Sequence, residues 1–204
     1  MRNDSSSRGV SLPELLVGLF LTTIFTGLLY QLFQTTYRVG HEEMSRASTE
    51  QALHVVGNTL QSDLKGSSPG GLSLALDGSR IATHPVSSVT EGGNLVYQDR
   101  LWLWAFDSNK QTLTRSELLG NGVLTFEGPA VRLEPADLMA ASPDERINRS
   151  LKNVTEFLVE NPPGVTPPLV STPLTVSIKV TRSELRTRNE LTYETTVHLR
   201  TAGL

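Results

Sequence analysis

The most extensive apolar segment of the chain lies near its N-terminus and runs from Leu15 to Phe33. Its least apolar residues are three threonines, one glutamine and two glycines, and none of its residues is charged. As an α-helix, these 19 residues would span roughly 28 Å, close to the thickness of the hydrocarbon layer of a bilayer. The pattern therefore predicts one membrane-spanning helix.

A second apolar pattern follows, and it has the spacing of one face of a helix. Leu53, Val56, Leu60 and Leu64 lie at positions i, i+3, i+7 and i+11, which places them in a single stripe. Charged residues fill much of the interval between the apolar segment and this stripe. We expect one helix that rests its stripe on the remainder of the chain and ends where residues 66–71 (Gly-Ser-Ser-Pro-Gly-Gly) begin.

Beyond residue 71 the pattern changes to short apolar runs and alternation, separated by turn residues. Strands are predicted at 72–76, 95–97, 101–106, 112–115, 123–126, 154–159, 174–181 and 191–200. Between them we predict turns at 107–109 and 121–122, a polar loop with a short helix at 134–150, and a proline-rich connection at 162–173. The predicted fold class is α+β, with a long N-terminal helix packed on an antiparallel β-sheet.

One predicted strand is apolar on both faces. Trp102 and Trp104 share one face, whereas Leu101 and Leu103 share the other. Such a strand is typical of a sheet that is covered by a helix on one side and by another layer on the other. A contact with another subunit is the alternative use of these side chains.

Composition excludes several classes of site. The chain has no cysteine, which excludes a disulfide framework, a thiolate metal site, a cysteine nucleophile and a lipidated-cysteine anchor. Its formal net charge is −3, so no strong positive field indicates a nucleic-acid partner.

The candidate catalytic and metal motifs are weak. Residues 66–70 match Gly-x-Ser-x-Gly, but a nucleophile elbow needs a strand before the serine, and here a helix precedes it. Residues 107–109 resemble the opening of a calcium loop without its later glycine and glutamate, so a hairpin turn is the better interpretation. The histidines show no metal-ligand spacing and should be exposed or satisfied: His41, His54, His84 and His198. We expect no cofactor, no metal and no enzyme; a tethered enzyme or sensor is the remaining alternative.

The apolar segment itself has three interpretations. A secretory signal peptide would be followed by a small-x-small cleavage site, which residues 34–38 do not contain. A plain membrane anchor fits the length, but it does not explain why Glu14 lies directly before the apolar run. An ionisable group at such a position is usually kept for a role. Arg2 and Arg8 precede the segment and predict a cytoplasmic N-terminus.

The third interpretation comes from residues 8–17, Arg-Gly-Val-Ser-Leu-Pro-Glu-Leu-Leu-Val. They closely resemble the processing site of type IV prepilins. The resemblance implies that prepilin peptidase cuts after Gly9 and that Val10 becomes the new, N-methylated N-terminus. It also implies that Glu14 is the family's assembly glutamate, at the fifth mature position. Val10 departs from the commonest phenylalanine, as in some minor pilins.

Four internal motifs narrow the resemblance to PilW-type minor pilins, or alternatively to J-type pseudopilins of type II secretion. They are Trp-Ala-Phe-Asp at 104–107, Leu-Thr-Arg at 113–115, Asn-Val-Thr-Glu-Phe at 153–157 and Thr-Val-His-Leu-Arg at 196–200. The resemblance implies the type IV pilin fold, with a leader at 1–9, a hydrophobic helix at 10–39 and a periplasmic head at 40–204, helical to about residue 65. The function implied is assembly or initiation of a type IV pilus near its tip.

The same resemblance implies the partners and the location. The partners would be prepilin peptidase, other minor pilins, the major pilin, the inner-membrane platform and a tip adhesin. The chain would be a single-pass protein of the bacterial inner membrane with its head in the periplasm, and would lie at the pilus tip after assembly.

Overall fold

The computed structural model describes residues 11–119, 129–141, 147–167, 169–183 and 188–199. Its elements are, in chain order, α1 Leu12–Lys65, β1 Ser67–Leu74, β2 Arg80–Val89, β3 Leu95–Tyr97, β4 Arg100–Asp107, β5 Thr112–Leu119, α2 Pro135–Ala140, β6 Ile147–Lys152, β7 Val154–Glu160, β8 Leu174–Ser183 and β9 Arg188–Val197. One long N-terminal helix followed by antiparallel strands confirms the α+β class. The chain divides into two compact units, residues 1–49 and 50–204. The turn predicted at 121–122 and the strand predicted at 123–126 lie outside the described residues.

The strands form two antiparallel sheets. The larger has six strands. Five follow the order β1-β2-β4-β5-β6, and β3 pairs with the C-terminal half of β2. The smaller has the order β7-β8-β9. The predicted turn after β4 is confirmed, because the Asp107 carboxylate accepts the backbone N–H groups of Asn109 and Lys110.

The main core forms where the last turns of α1 meet both sheets. The stripe predicted from the sequence is confirmed, since Leu53, Val56, Leu60 and Leu64 are all buried. They pack with inward-facing residues of the larger sheet, such as Ile81, and with those of the smaller sheet. Each fully buried leucine contributes about 2 kcal/mol through removal of apolar surface from water. These burials fix the C-terminal part of α1 to the sheets.

A second, smaller core covers the opposite face of the larger sheet. Leu138 of α2 is buried there against Leu103 and Ala105 of β4. Trp104, on the other face of β4, belongs to the main core with α1. The expectation for this strand is confirmed: it is apolar on both faces because both of its faces are covered.

Three parts of the sheet prediction are wrong. Residues 67–71 are part of β1 rather than a connection, because an edge strand tolerates Pro69 beside a break in register between Ser67 and Leu72. β2 was not predicted, since His84 and Pro85 interrupt its apolar pattern, yet it pairs with strands on both sides. β6 overlaps the end of the predicted polar loop and was missed, because only Leu151 of this edge strand is buried.

The ends of predicted strands also differ, most clearly for β9. β9 begins at Arg188 and ends at Val197, whereas the alternation indicated 191–200. α2 is the short helix expected within the loop, and it covers Pro135–Ala140. Strand ends depend on the pairing partner, here β8, which continues to Ser183. The local pattern carries no information about that partner.

Gly57 of α1 lies directly against the Tyr193 ring of β9. It is buried, and a Cβ atom added to it would lie 2.5 Å from Cζ of Tyr193. We expect Gly57→Ala to lower the free energy of unfolding by about 1–3 kcal/mol, because overpacking outweighs the better helix propensity of alanine. Urea denaturation of the full-length protein measures this loss.

Gly40→Ala is the matched control, since nothing lies within 4 Å of that helical position. It should leave stability unchanged or raise it slightly. Combining Gly57→Ala with Tyr193→Ala should recover part of the loss if the two residues are coupled. Equal stability of the Gly57 and Gly40 variants would contradict the close contact.

Candidate functional site: the N-terminal helical segment

The first turn of α1 carries the residue that the sequence singled out for assembly. The carbonyl of Ser11 accepts the N–H of Leu15 at 3.1 Å, so the helix starts here, and Pro13 lies in the first turn where its missing N–H costs nothing. Glu14 is exposed in the same turn. A carboxylate is favourable there because the helix N-terminus carries partial positive charge. Gly9 and Val10 lie outside the described residues.

Glu14 faces no cation within the described part of the chain. The ion pairs found among those residues do not include it. The nearest ion pair on α1 joins Arg38 to Glu42 at 3.5 Å, and its side chains are largely in water. The Glu14 carboxylate is therefore available to a positive group from outside the described chain.

The residues after Glu14 present a continuous apolar surface. Phe20, Phe25 and Phe33 are each about two-thirds exposed, with fractions of 66, 65 and 68%. Among the described helices, α1 alone is long and apolar enough to cross a membrane, and none of its apolar window is buried. An apolar surface of this extent is unfavourable in water and favours a bilayer or other apolar helices.

Two threonine side chains in this segment are satisfied by the helix itself. The hydroxyl of Thr22 donates to the carbonyl of Gly18 at 2.7 Å, and that of Thr23 donates to Leu19 at 2.8 Å. Near the end of the segment, the amide of Gln34 donates to the hydroxyl of Tyr30 at 2.8 Å. Unsatisfied polar groups cost several kcal/mol in hydrocarbon, so these bonds suit the segment to an apolar environment.

A buried ion pair anchors the other end of α1. Arg115 of β5 donates through Nε and Nη2 to the two carboxylate oxygens of Asp63, at 2.7 and 2.9 Å. Nε1 of Trp104 donates to the same carboxylate at 2.9 Å, and the Arg115 guanidinium lies 3.4 Å from the ring centre of Trp102. Both charged side chains are about nine-tenths buried.

This ion pair was not predicted from the sequence. A signal was present, because Asp63 follows Leu60 by three residues and so lies on the stripe that must be buried. A carboxylate on such a stripe requires a cation. The sequence does not say which of the 18 lysines and arginines supplies it.

The Gly-x-Ser-x-Gly match at residues 66–70 has a structural explanation. Ser68 lies in β1, not on a strand-to-helix turn, and its hydroxyl bonds to the hydroxyl of Tyr97. His84 stacks on Tyr97 with ring centres 4.7 Å apart. Its Nδ1 accepts the N–H of Val131 and its Nε2 lies 2.6 Å from the carbonyl of Gln98, so both ring nitrogens are used by backbone groups.

The remaining histidines and the calcium-like turn are also accounted for. His41, His54 and His198 are exposed, as expected, and His54 makes an edge contact with Tyr193. The pKa of Asp107 is lowered chiefly by the backbone hydrogen bond from Lys110. Its carboxylate thus acts as a hydrogen-bond acceptor within the turn. Among the described residues no three histidine, aspartate or glutamate side chains are grouped to hold a metal ion.

The described chain thus combines an exposed apolar helical segment, a carboxylate in its first turn and a folded α+β unit. This arrangement suits insertion into a membrane and packing against other apolar helices. No family model, no curated protein and no solved structure matches this chain.

Proposed function

We propose that this chain is a minor pilin with the type IV pilin fold, which takes part in assembly or initiation of a type IV pilus near its tip. The observation that carries the proposal is Glu14, exposed in the first turn of a helix whose following residues are apolar and exposed. The α+β unit after the helix and the prepilin-like residues 8–17 support it. The chain acts by assembly and not by catalysis.

The proposed chemistry is charge neutralisation between subunits. Cleavage after Gly9 produces an ammonium group on Val10, which must enter a bundle of apolar helices. The Glu14 carboxylate of an adjacent subunit neutralises it. Because an unpaired charge is very costly in an apolar environment, the pairing selects the axial register between neighbouring subunits.

The proposed partners follow from leader cleavage and subunit assembly. Prepilin peptidase cuts the leader and the inner-membrane platform receives the processed subunit. Other minor pilins, the major pilin and a tip adhesin are the assembly partners. The head lies in the periplasm until assembly carries it to the pilus tip.

Processing of the leader tests the proposal most directly. We expect the protein purified from membranes to begin at Val10 with a methylated amine, as measured by intact-mass and peptide mass spectrometry. Gly9→Ala should leave most of the protein with its leader, because a Cβ at the scissile residue obstructs the peptidase. An intact N-terminus at Met1 in wild-type cells, or a cut beyond Phe33, contradicts the assignment.

The matched control for Gly9→Ala is Gly18→Ala. Gly18 is also a glycine near the N-terminus, and nothing lies within 4 Å of the position its Cβ would take. This variant should be cut normally. Deleting the gene should in addition reduce the number of surface pili, and unchanged piliation argues against a role in the pilus.

A further inference from the structure

β9 is the longest regular edge among the described strands. All ten of its residues pair with β8 in a single unbroken register, from Arg188 opposite Ser183 to Val197 opposite Leu174. On its other side no described strand pairs with it. The backbone N–H and C=O groups on that side form a template for another strand.

The other described edges carry features that oppose strand addition. β1 contains Pro69 and a break in register, and β6 and β7 each have a break in register with their single neighbour. β3 has only three residues. β9 has no proline and no break in register, although it carries the charged residues Arg188, Glu190 and Glu194. Five of its ten residues are of types that favour the strand conformation.

α1 holds β9 in place from the inner face of the sheet. Gln61 donates to the hydroxyl of Thr195 at 3.1 Å, and the Tyr193 ring lies over Gly57. These contacts fix which side chains point inward, so the strand cannot slip by one residue. The edge is therefore preorganised, which lowers the entropic cost of adding a strand.

The outer face next to this edge is acidic. Glu190, Thr192, Glu194 and Thr196 alternate there and are exposed. Lys179 of β8 bonds to Glu156 at 2.6 Å, and its pKa is raised mainly by that hydrogen bond and further by Glu190 and Glu194. Within the described chain, neither Glu190 nor Glu194 has an ion pair of its own.

We propose that the outer edge of β9 binds an extended strand of a partner protein, with lysine or arginine at two positions four residues apart. In an antiparallel addition these two residues lie opposite Glu190 and Glu194 on one face. Opposite charges on directly facing residues stabilise such a pair of strands, and like charges destabilise it. The proposal concerns a surface of the folded unit 50–204 and does not depend on processing of the prepilin-like residues.

In the register centred on Thr192, a second copy of β9 is a poorer occupant. If two copies pair antiparallel about Thr192, Glu190 of each copy faces Glu194 of the other. The lysine-containing partner removes this repulsion in the same register. The two occupants can therefore be compared with peptides that differ at only two positions.

The experiment uses the full-length protein in detergent micelles and fluorescein-labelled ten-residue peptides. The first peptide has the sequence of β9 with lysine in place of both glutamates, and the second has the unaltered β9 sequence. Fluorescence polarisation should show at least about tenfold tighter binding of the lysine peptide. Methylating alternate backbone nitrogens of that peptide, on the side that faces β9, should abolish binding.

Charge reversal of the protein provides the complementary test. Glu190→Lys combined with Glu194→Lys should invert the preference, so that the unaltered β9 peptide binds more tightly. Glu91→Lys, an exposed position elsewhere, should leave the preference unchanged. Circular dichroism checks that each variant retains its fold.

Three outcomes overturn the proposal. Equal or tighter binding of the unaltered β9 peptide to the wild-type protein indicates pairing with a second copy. Binding that survives backbone methylation indicates electrostatic adsorption without strand addition. Absence of binding by either peptide shows that this edge accepts no strand.

Discussion

Asp63→Ala is expected to destabilise the folded unit by about 3–5 kcal/mol, the largest loss we predict for a single substitution. The guanidinium of Arg115 makes two hydrogen bonds to this carboxylate and is only 9% exposed. Removing Asp63 therefore leaves a buried cation without its partner, and it also leaves the indole N–H of Trp104 without an acceptor. Urea denaturation followed by tryptophan fluorescence measures the loss directly.

A double variant separates the net contribution of the ion pair to the free energy of unfolding from the penalty of removing one partner. Asp63→Leu combined with Arg115→Met removes both charges while keeping apolar volume, and should cost much less than Asp63→Ala alone. If the double variant is no more stable than the single one, the loss does not come from the unpaired cation.

An exposed pair in the same unit provides the control. Lys110 bonds to Asp107 at 3.4 Å, but its side chain is 81% exposed. Lys110→Ala should change stability by less than about 0.5 kcal/mol, because water screens that interaction. A loss below about 1 kcal/mol for Asp63→Ala would show that water also reaches the Asp63–Arg115 pair.

Glu14→Ala is expected to have the largest effect on assembly. It should leave leader cleavage intact, because the proposed cut lies between Gly9 and Val10. It should greatly reduce co-purification with other minor pilins and lower the number of pili per cell. The reason is that the partner's ammonium group would enter an apolar helix bundle without its counter-charge, at a cost of several kcal/mol.

Two variants separate charge from other effects. Glu14→Gln keeps the size and polarity of the side chain, so it should behave like Glu14→Ala if the charge is essential. Glu43→Ala removes an exposed carboxylate elsewhere on α1 and should assemble normally.

The outcome also bears on the position of the subunit. A subunit at the apex has no neighbour above it and needs no carboxylate at this position. If the chain is the proposed minor pilin, its Glu14 therefore favours a place beneath another subunit. Normal piliation and undiminished co-purification of Glu14→Ala would contradict a docking role and would favour the apex.

Much of α1 could be predicted because its signals are local. Nineteen apolar residues in sequence require an apolar environment, whatever the remainder of the chain does. The stripe from Leu53 to Leu64 repeats with the helical period, so its burial needed no knowledge of the partner surface. The same holds for the strands around Trp104 and Ile178, where apolar residues recur within a few positions.

The proposed assembly site was also available from the sequence, for a related reason. Gly9, Val10 and Glu14 lie within six residues of one another, directly before the apolar helix. A short linear motif can be recognised without knowledge of the fold around it. The structure adds that Glu14 is exposed in the first helical turn and that the hydroxyl groups of Thr22 and Thr23 bond within the helix.

The tertiary structure decided everything that depends on distant partners. β2 and β6 have weak local patterns and become strands because neighbours supply their backbone hydrogen bonds. Asp63 and Arg115 are 52 residues apart, and only the packing of α1 against β5 brings their charges into contact. The β9 edge that no described strand covers likewise follows from strand order. Local patterns specify what each segment must bury, whereas pairing energies across the whole chain select which segments meet.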